Sequence, residues 1–333
     1  MLPPVSVLWL NYNSMHLIDL TKKSIDALMQ LDYPNLEIIL IDNNSSDGSM
    51  ESIEKYFLAK KNESNLNAKF VKLKKNWGWA GAVNIAYNLR NPSSKYLALT
   101  HNDVIPNSDY LKKIVTFLEN HEEVGAVQGI VVKLEDESLV DSSGFKMNEA
   151  LGLSSSYTGG TVAKLRKPAY ISMVEGTMPV YNLNAVKSAL GSNDELFVTA
   201  GFMYYLEDAF VSLKLWANGY KCMVLPIIVG SHYRMGTSTK AAKKQDLFYY
   251  LLRNRIALLY MTNSASKLGF ITQNIRKLVF SKRTVAQRKA ILNALLDGVR
   301  LGRQLKRKYG LIDLYSAPLT RASLKSRLFH WLH

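Results

Sequence analysis

The chain has 333 residues, 47% of them apolar, so it can bury the core of one large domain with an appendage. Its one cysteine, Cys222, excludes a disulfide within the chain and favours a reducing compartment. Residues 264–333 carry 15 Lys and Arg against two Asp, a net +13 of the chain's +15, so a nearly neutral body ends in a strongly basic region that should attract polyanions.

Strands and helices are predicted to alternate over the first 130 residues. Apolar runs predict buried strands at 5–10, 36–41, 70–73, 96–100 and 124–132, and helical spacing predicts helices at 14–29, 49–59, 82–89 and 108–120. This alternation predicts an α/β fold with a mainly parallel sheet and helices on both of its faces.

Beyond Lys133 the alternation becomes less regular. Residues 136–168 are rich in Ser, Gly and Thr and are predicted to cross over the site as a long excursion. A strand at 171–183, a helix at 208–218 and a strand at 224–229 are predicted next, and almost everything after 245 is predicted to be helical. We therefore expect a catalytic domain at 1–244, with halves of about 1–132 and 133–244, and a helical basic region at 245–333.

Polar residues follow three of the predicted strands. Asn11-Tyr12-Asn13 follows the first strand, Asp42 begins an Asp-Asn-Asn-Ser-Ser-Asp-Gly-Ser segment after the second, and Asn102-Asp103 follows the fourth. An open α/β sheet binds its ligand at the carboxyl ends of its strands. One such Asp is usually a turn former or a helix cap, but several of them, with a later Glu207-Asp208 pair and His232, suggest a phosphate-and-metal site.

In order and spacing these segments resemble the family 2 glycosyltransferases of the GT-A fold, especially their rhamnosyltransferase-like branch. The resemblance runs from Val5 to at least Arg255. It also includes Asn76, Gly78, Ala80-Gly81, Asn84, Gly176, Asp194-Glu195-Leu196-Phe197, Gly219-Tyr220, Tyr249-Tyr250 and Arg253-Asn254. It implies a Rossmann-like sheet and the inverting transfer of a sugar from a nucleotide-diphospho-sugar to a hydroxyl of a glycan, lipid-linked or protein-linked acceptor.

Donor binding is assigned first to Asp42, because a carboxylate at a strand end can accept hydrogen bonds from a base N–H or from ribose hydroxyls. Asn11 and Asn13 are expected to line the same pocket. The alternative is that Asp42 only begins an Asx turn. Other residues of the resemblance assigned to the nucleotide-sugar are Asn76, Gly78, Gly81, Asn84, Asn102 and Gly176. The small residues at 76–81 let the backbone approach a ligand, although they also suit tight helix–sheet packing.

A diphosphate leaving group needs a cation to neutralise its charge, and hard cations prefer carboxylate oxygen. The resemblance assigns this role to Asp103, although His101 stands where the family often has the first acid of an Asp-x-Asp motif. His232 matches the family's late His, and a site of oxygen and imidazole would suit Mn²⁺ or Mg²⁺. Arg234 is the alternative group that could offset the charge of the diphosphate.

Inverting transfer needs a carboxylate on the face opposite the leaving group, where it takes the proton of the acceptor hydroxyl. The resemblance places this base in the pair Glu207-Asp208, with Asp208 as the first choice and Glu207 as the alternative. The competing interpretation is that these acids stabilise the N-terminus of a helix at 208–218 through its dipole, and both roles can hold together.

The basic C-terminal region carries apolar stripes beside its cations. At 283–309 the predicted stripe is Ile291, Leu292, Leu295, Leu296 and Val299, and 323–333 brings together Leu324, Leu328, Trp331 and Leu332. This pattern predicts helices that lie on an anionic membrane, hence a peripheral location on its cytoplasmic face, although part of the region could instead pack on the catalytic domain or form an oligomer contact. No apolar run is long enough to predict a membrane span.

Two other functions are less consistent with the sequence. A sugar nucleotidyltransferase normally has a Gly-rich loop with Arg and Lys after its first strand, and residues 11–16 have neither Gly nor Arg. A basic nucleic-acid- or membrane-binding protein with an inactive GT-A-like domain is the second alternative. Nucleic acid is not favoured as its partner, because aromatic residues are sparse among the cations of 264–333.

Overall fold

A computed structural model of the chain describes residues 2–62, 66–155, 157–192, 195–197, 205–234, 244–280, 282 and 284–320. The strands are β1 (Val5–Asn11), β2 (Leu36–Asp42), β3 (Asn67–Lys72), β4 (Tyr96–His101), β5 (Val104–Pro106), β6 (Val124–Lys133), β7 (Val140–Ser142), β8 (Lys146–Met147), β9 (Leu153–Ser154), β10 (Ala169–Tyr170), β11 (Pro179–Asn182) and β12 (Lys221–His232). The helices are α1 (Ile18–Met29), α2 (Ser49–Asn62), α3 (Gly78–Leu89), α4 (Tyr110–Glu119), α5 (Leu183–Leu190), α6 (Glu207–Ala217), α7 (Lys244–Met261), α8 (Lys267–Phe280) and α9 (Val285–Tyr309).

Ten of these strands form one sheet, in the order β10-β12-β6-β11-β4-β1-β2-β3, with β5 paired to β12 and β7 to β6. The long pairings β1–β2, β1–β4, β2–β3 and β6–β12 are parallel, and β11 joins the two parallel blocks by running antiparallel to both β4 and β6. The predicted mixed, mainly parallel α/β sheet is confirmed.

The core lies on both faces of this sheet. All seven residues of β2 are buried, which explains its continuous Leu-Glu-Ile-Ile-Leu-Ile-Asp run. Successive side chains alternate between the faces, so Ile39 and Ile41 join one apolar cluster while Ile38 and Leu40 join the other.

Two predicted boundaries are wrong for local reasons. α3 begins at Gly78 and not at residue 82, because Gly78 adopts a φ of +70° and turns the chain directly into the helix. Of the predicted strand at 171–183 only β11 is formed, and it ends at Asn182 because the side chain of this residue accepts hydrogen bonds from the backbone N–H groups of Asn184 and Ala185 and so caps α5.

The three C-terminal helices pack on the rest of the protein. Ala257 and Leu258 of α7 and Leu301 and Leu305 of α9 lie in the main apolar cluster. The predicted stripe on α9 is divided: its members Ile291 and Leu295 are buried in a satellite cluster with α7, whereas Leu292 and Leu296 are exposed, because only one side of α9 meets α7. Within the described ranges, no helix is both long and apolar enough to cross a membrane. Asp194 and the predicted segment at 323–333 lie outside the described residues.

Candidate active site

The polar strand ends meet at one edge of the sheet. The parallel register sets Asn11 of β1 beside Asp42 of β2 and Leu10 beside His101 of β4. β12 reaches the same edge because it pairs with β5, directly after Asp103, so that His232 lies opposite Val104. The sheet order, not sequence proximity, therefore brings these residues together.

Asp42, Asn11 and Asn102 form a buried hydrogen-bonded network. The Asp42 Oδ2 atom accepts from Asn11 Nδ2 at 2.7 Å and from Ser45 Oγ at 2.6 Å, while its Oδ1 atom accepts from the Ser45 backbone N–H at 2.8 Å. Asn102 Nδ2 donates to Asn11 Oδ1 at 2.7 Å. Asp42 thus does organise the turn after β2, and its role toward a donor nucleotide stays a prediction.

Asn13 and Asn76 shape the two loops beside this network. Asn13 adopts a φ of +46° and accepts a hydrogen bond from the Ser46 N–H at 2.9 Å. Asn76 Oδ1 accepts from the Gly78 N–H at 2.7 Å and so fixes the turn that opens α3. A Cβ on Gly81 would lie 2.9 Å from the Cβ of Trp77, so this glycine permits tight packing within the first turn of α3.

Asn84 has a structural role. Its Oδ1 atom accepts from the backbone N–H groups of Leu196 and Phe197 at 3.0 and 2.9 Å, and its Nδ2 donates to the Phe197 carbonyl at 2.6 Å. The side chain is buried and holds the 195–197 segment against α3. These three bonds engage both ends of its amide, and its contact with the donor stays a prediction.

Gly176 lies at the centre of the site. Its N–H donates to Asp208 Oδ2 at 3.3 Å, and its carbonyl lies 3.0 Å from Nε2 of His101, which must be the protonated nitrogen because a carbonyl can only accept. The His101 ring stacks on Trp79 with a centroid separation of 5.7 Å. A Cβ at position 176 would lie 2.8 Å from the Trp79 ring, so only glycine fits here without a shift.

Glu207 and Asp208 begin α6, directly after Tyr205 and Leu206, whose φ values are +66° and +73°. Glu207 is buried, and its Oε2 atom has no hydrogen-bond partner among the described residues. Asp208 is partly exposed and accepts from the Ala209 N–H at 2.8 Å. Burial, followed by the negative charge of Glu175, raises the pKa of Asp208, and burial, followed by the charge of Asp208, raises the pKa of Glu207. Of the two acidic residues, Asp208 is the less buried.

Asp103 and His232 face each other across the ends of β4 and β12. Oδ1 of Asp103 lies 3.5 Å from Nε2 of His232, and Nδ1 of His232 donates to Oδ2 of Asp141 at 2.7 Å. Burial by itself would lower the pKa of His232, but its bonds to the two carboxylates outweigh this effect and raise the pKa to about 9. His232 is thus oriented by Asp141 through one nitrogen and presents the other to Asp103.

Arg234 is held in place by two acids. Its Nε donates to Asp141 Oδ1 at 2.7 Å, its Nη2 to Asp141 Oδ2 at 3.0 Å, and its Nη2 also to Glu175 Oε1 at 3.2 Å. This bidentate geometry fixes the plane of the guanidinium group at the site edge. Arg234 is therefore a fixed positive charge beside Asp141 and Glu175, the residue that precedes Gly176.

Asp141 and Glu175 were missed by the sequence analysis. Asp141 lies on β7, inside the excursion at 136–168, where no periodicity distinguishes it. Glu175 directly precedes Gly176, and that neighbour was the one available signal. Its Oε2 atom accepts from the Ser142 hydroxyl, and its N–H donates to Gln128 Oε1 at 2.7 Å, so it is anchored to β6 and β7.

Asp103 and His232 could together hold a divalent cation only if the cation displaces the proton on Nε2 of His232. A nitrogen ligand whose other ring nitrogen donates to a carboxylate is a usual arrangement in protein metal sites. No group of three or more His, Cys, Asp or Glu side chains that could hold a metal is found in the described part of the chain. A cation here would therefore need further oxygens from a ligand or from water, as Mg²⁺ commonly has in phosphate-binding sites.

Solved structures of other proteins share this fold. S. aureus TarS 1–349 in complex with UDP-GlcNAc superposes with a TM-score of 0.57 at 19% identity, over 92% of this chain and 83% of that chain. The mannosyltransferase PcManGT from Pyrobaculum calidifontis, in complex with GDP-Man and Mn²⁺, gives a TM-score of 0.51 at 16% identity, over 98% and 88% of the two chains. The sheet order and these likenesses define a GT-A fold, as predicted.

The chain belongs to glycosyl transferase family 2, whose family model matches residues 6–174, half of its length. An uncharacterized glycosyltransferase of Haemophilus influenzae is 30% identical over 148 residues, which is 44% of this chain and 43% of that protein. The chain spans less than half the length of the curated relatives it matches. The predicted family is confirmed, while the rhamnosyltransferase-like branch stays a prediction.

Proposed function

We propose that the protein transfers a sugar from a nucleotide-diphospho-sugar to an acceptor hydroxyl, with inversion at the anomeric carbon and with Asp208 as the general base. One observation carries the proposal. Asp208 is a partly exposed carboxylate with a raised pKa, held by the Gly176 N–H at the edge of the sheet where the polar strand ends meet. A carboxyl group with a raised pKa is better matched to proton abstraction near neutral pH than an ordinary aspartate.

In the proposed reaction Asp208 accepts the proton of the acceptor hydroxyl as that oxygen bonds to the anomeric carbon. The bond from the anomeric carbon to the diphosphate oxygen breaks, and the nucleoside diphosphate leaves with the electron pair. Gly176 orients the base through its N–H, and the fixed Arg234 guanidinium supplies positive charge at the same edge. Burial keeps Glu207 away from the acceptor, which favours Asp208 over the alternative base.

The predicted divalent cation, Mn²⁺ or Mg²⁺, is part of this proposal. Asp103 and His232 would hold it, and when bound it would neutralise charge on the departing diphosphate. Support comes from the two facing ligand atoms, from the orientation of His232 by Asp141, and from a fold relative whose structure contains GDP-Man and Mn²⁺. Because relatives of this fold contain UDP-GlcNAc and GDP-Man, UDP- and GDP-sugars are the first donors to test. The acceptor class, whether glycan, lipid-linked or protein-linked, stays open within the proposal.

The test is a thermal-shift panel of nucleoside diphosphates and nucleotide-sugars, with Mn²⁺ and with EDTA, followed by transfer assays with the donor that binds. We expect one nucleoside diphosphate to stabilise the protein, more strongly with Mn²⁺, and the product to have the opposite anomeric configuration to the donor. If the nucleoside diphosphate stabilises the protein equally in EDTA, we would assign neutralisation of the diphosphate charge to Arg234 and not to a cation. Retention of configuration would overturn the role of Asp208, and no response to any nucleotide would favour a binding protein with an inactive domain.

A further inference from the structure

The helical hairpin of α8 and α9 has an apolar outer surface. On α8 the exposed side chains Leu268, Ile275 and Val279 recur at intervals of seven and four residues, which places them on one helical face. On α9 the exposed side chains Val285, Leu292 and Leu296 recur at the same intervals. Each helix therefore presents an apolar stripe to solvent.

Both stripes extend to the connection between the helices. Phe280 ends α8 and is 82% exposed, and Val285 begins α9 and is 84% exposed, the two highest values among the large apolar side chains of the described residues. Lys282, in the connection, is also exposed. We name as the hairpin surface the seven side chains whose exposure ranges from 44% to 84%: Leu268, Ile275, Val279, Phe280, Val285, Leu292 and Leu296.

The side chains of the hairpin surface are not the ones that pack the hairpin on the rest of the protein. α8 already uses Phe270, Ile271 and Leu278 for contact with the satellite cluster, and α9 already buries Ile291 and Leu295 there. A surface helix normally has one apolar face, and it is turned toward the core. Here a second apolar face remains on both helices. Single exposed apolar residues are ordinary, but a contiguous periodic set indicates a docking surface.

The charge around the hairpin surface is strongly positive. Exposed cations of α9 accompany its apolar stripe and continue beyond it, whereas Asp297 is the only acid between residues 267 and 309 in the sequence. The exposed cations are Arg288, Lys289, Arg300, Arg303, Lys306, Arg307 and Lys308. Of these cations, Arg300 lies 3.6 Å from Asp297, which also accepts from the Tyr249 hydroxyl at 2.8 Å, and Lys308 pairs with Glu195 at 2.8 Å. The favoured partner is therefore both apolar and anionic.

We propose that the hairpin surface docks onto a bilayer that contains acidic phospholipid, with Phe280 and Val285 inserted at the tip and the cations of α9 at the headgroups. Apolar side chains flanked by Lys and Arg are the arrangement that binds the interface of an anionic membrane. A peripheral location on the cytoplasmic face, as predicted from the sequence, is part of this proposal. The proposal is independent of the transfer reaction and goes beyond it, because none of these residues lies at the candidate active site.

The experiment is co-sedimentation of the full chain with phosphatidylcholine vesicles, with and without phosphatidylserine, across a salt titration. Binding should require phosphatidylserine and weaken with salt. Phe280→Ser with Val285→Ser should reduce partitioning at least about tenfold, since each loses an apolar group from the bilayer. Lys282→Glu with Lys289→Glu should reduce it through charge alone. The matched control is Leu58→Ser with Leu89→Ser, two exposed leucines on α2 and α3, which should bind like the parent.

Circular dichroism and the thermal midpoint establish that each variant is folded. Absence of vesicle binding, equal binding to vesicles without phosphatidylserine, or an equal loss in the Leu58/Leu89 control would each overturn the proposal. So would tight binding to single-stranded RNA that the Phe280/Val285 variant abolishes, or light scattering that shows a dimer dissociated by the same variant. In the last two cases the hairpin surface would belong to nucleic acid or to a second copy.

Discussion

Replacing Asp208 by Asn tests the proposed base most directly. Asn has the same shape, and its carbonyl oxygen can still accept one of the two backbone hydrogen bonds, from Gly176 or from Ala209. The loss of one such bond costs about 0.5–1.5 kcal/mol of stability, so the variant should fold. The amide cannot accept the acceptor's proton, and the chemical step should therefore slow while donor binding is kept.

A positioned general base contributes about 10²- to 10⁴-fold to a rate, which corresponds to about 2.7–5.4 kcal/mol in the activation free energy. The pH profile of transfer by the parent enzyme should report the titration of the Asp208 carboxylate. Burial and the charge of Glu175 raise its pKa above the ordinary 3.8, and only the ionised form acts as a base. Transfer should thus fall about tenfold per pH unit as the pH drops below this raised pKa, well above pH 4, and the Asn variant should lack that acid limb.

The assay compares Asp208→Asn with Glu207→Gln, its neighbour and the alternative base. We expect the first to lower kcat by about 10²-fold or more with an unchanged Kd for the nucleoside diphosphate, and the second to lower kcat by less than about tenfold, because Glu207 is buried. The reasoning is refuted if Asp208→Asn transfers at the parent rate, or if Glu207→Gln is the variant that loses the acid limb.

Three further predictions concern the framework of the site and the C-terminal helices. Gly176→Ala should leave the protein folded but lower kcat at least about tenfold, because the new Cβ would meet the indole ring at 2.8 Å and displace the loop that orients the base. Asp141→Asn should raise the Mn²⁺ concentration for half-maximal activity by about 10- to 100-fold, because it weakens the hydrogen bond that orients His232. Gly302→Ala should destabilise the protein by about 1–3 kcal/mol and lower its Tm by a few degrees, because its Cβ would lie 2.7 Å from the backbone of α7. The matched control for Gly302→Ala is Gly269→Ala, in open space on α8, which should stabilise the protein by up to about 1 kcal/mol.

Each of these three predictions would be contradicted by a particular result. If Gly176→Ala keeps the kcat and KM of the parent enzyme, the loop accommodates the new Cβ without displacing the base. For Asp141→Asn the control is Asp136→Asn, an exposed acid whose carboxylate accepts from Ser138, and an equal change in both would remove the special role of Asp141. If Gly302→Ala raises the Tm as much as Gly269→Ala does, the close approach of α7 and α9 is not as tight as their contacts indicate.

Much of the fold and part of the site could be predicted from local sequence. Mainly apolar runs predict β1, β2 and β4, because strands buried on both faces have no polar side to alternate with. The polar residues at their ends follow from the same runs, since parallel strands end at one edge. Asp208 at the start of α6 was also accessible, because a helix with acids in its first turn is a local pattern.

The remaining features depended on which strands are neighbours. Asp141 and His232 are 91 residues apart and meet only because β7 and β12 both pair with β6, and no periodicity encodes that order. Asn84 belongs to a motif of the predicted site but bonds a segment more than a hundred residues away. Helical periodicity placed Leu292 with Ile291 on one stripe, yet only the position of α7 decides that the second is buried and the first exposed. Local pattern determines which side chains share a face; the tertiary structure decides what that face meets, because burial and hydrogen bonding are properties of the neighbours.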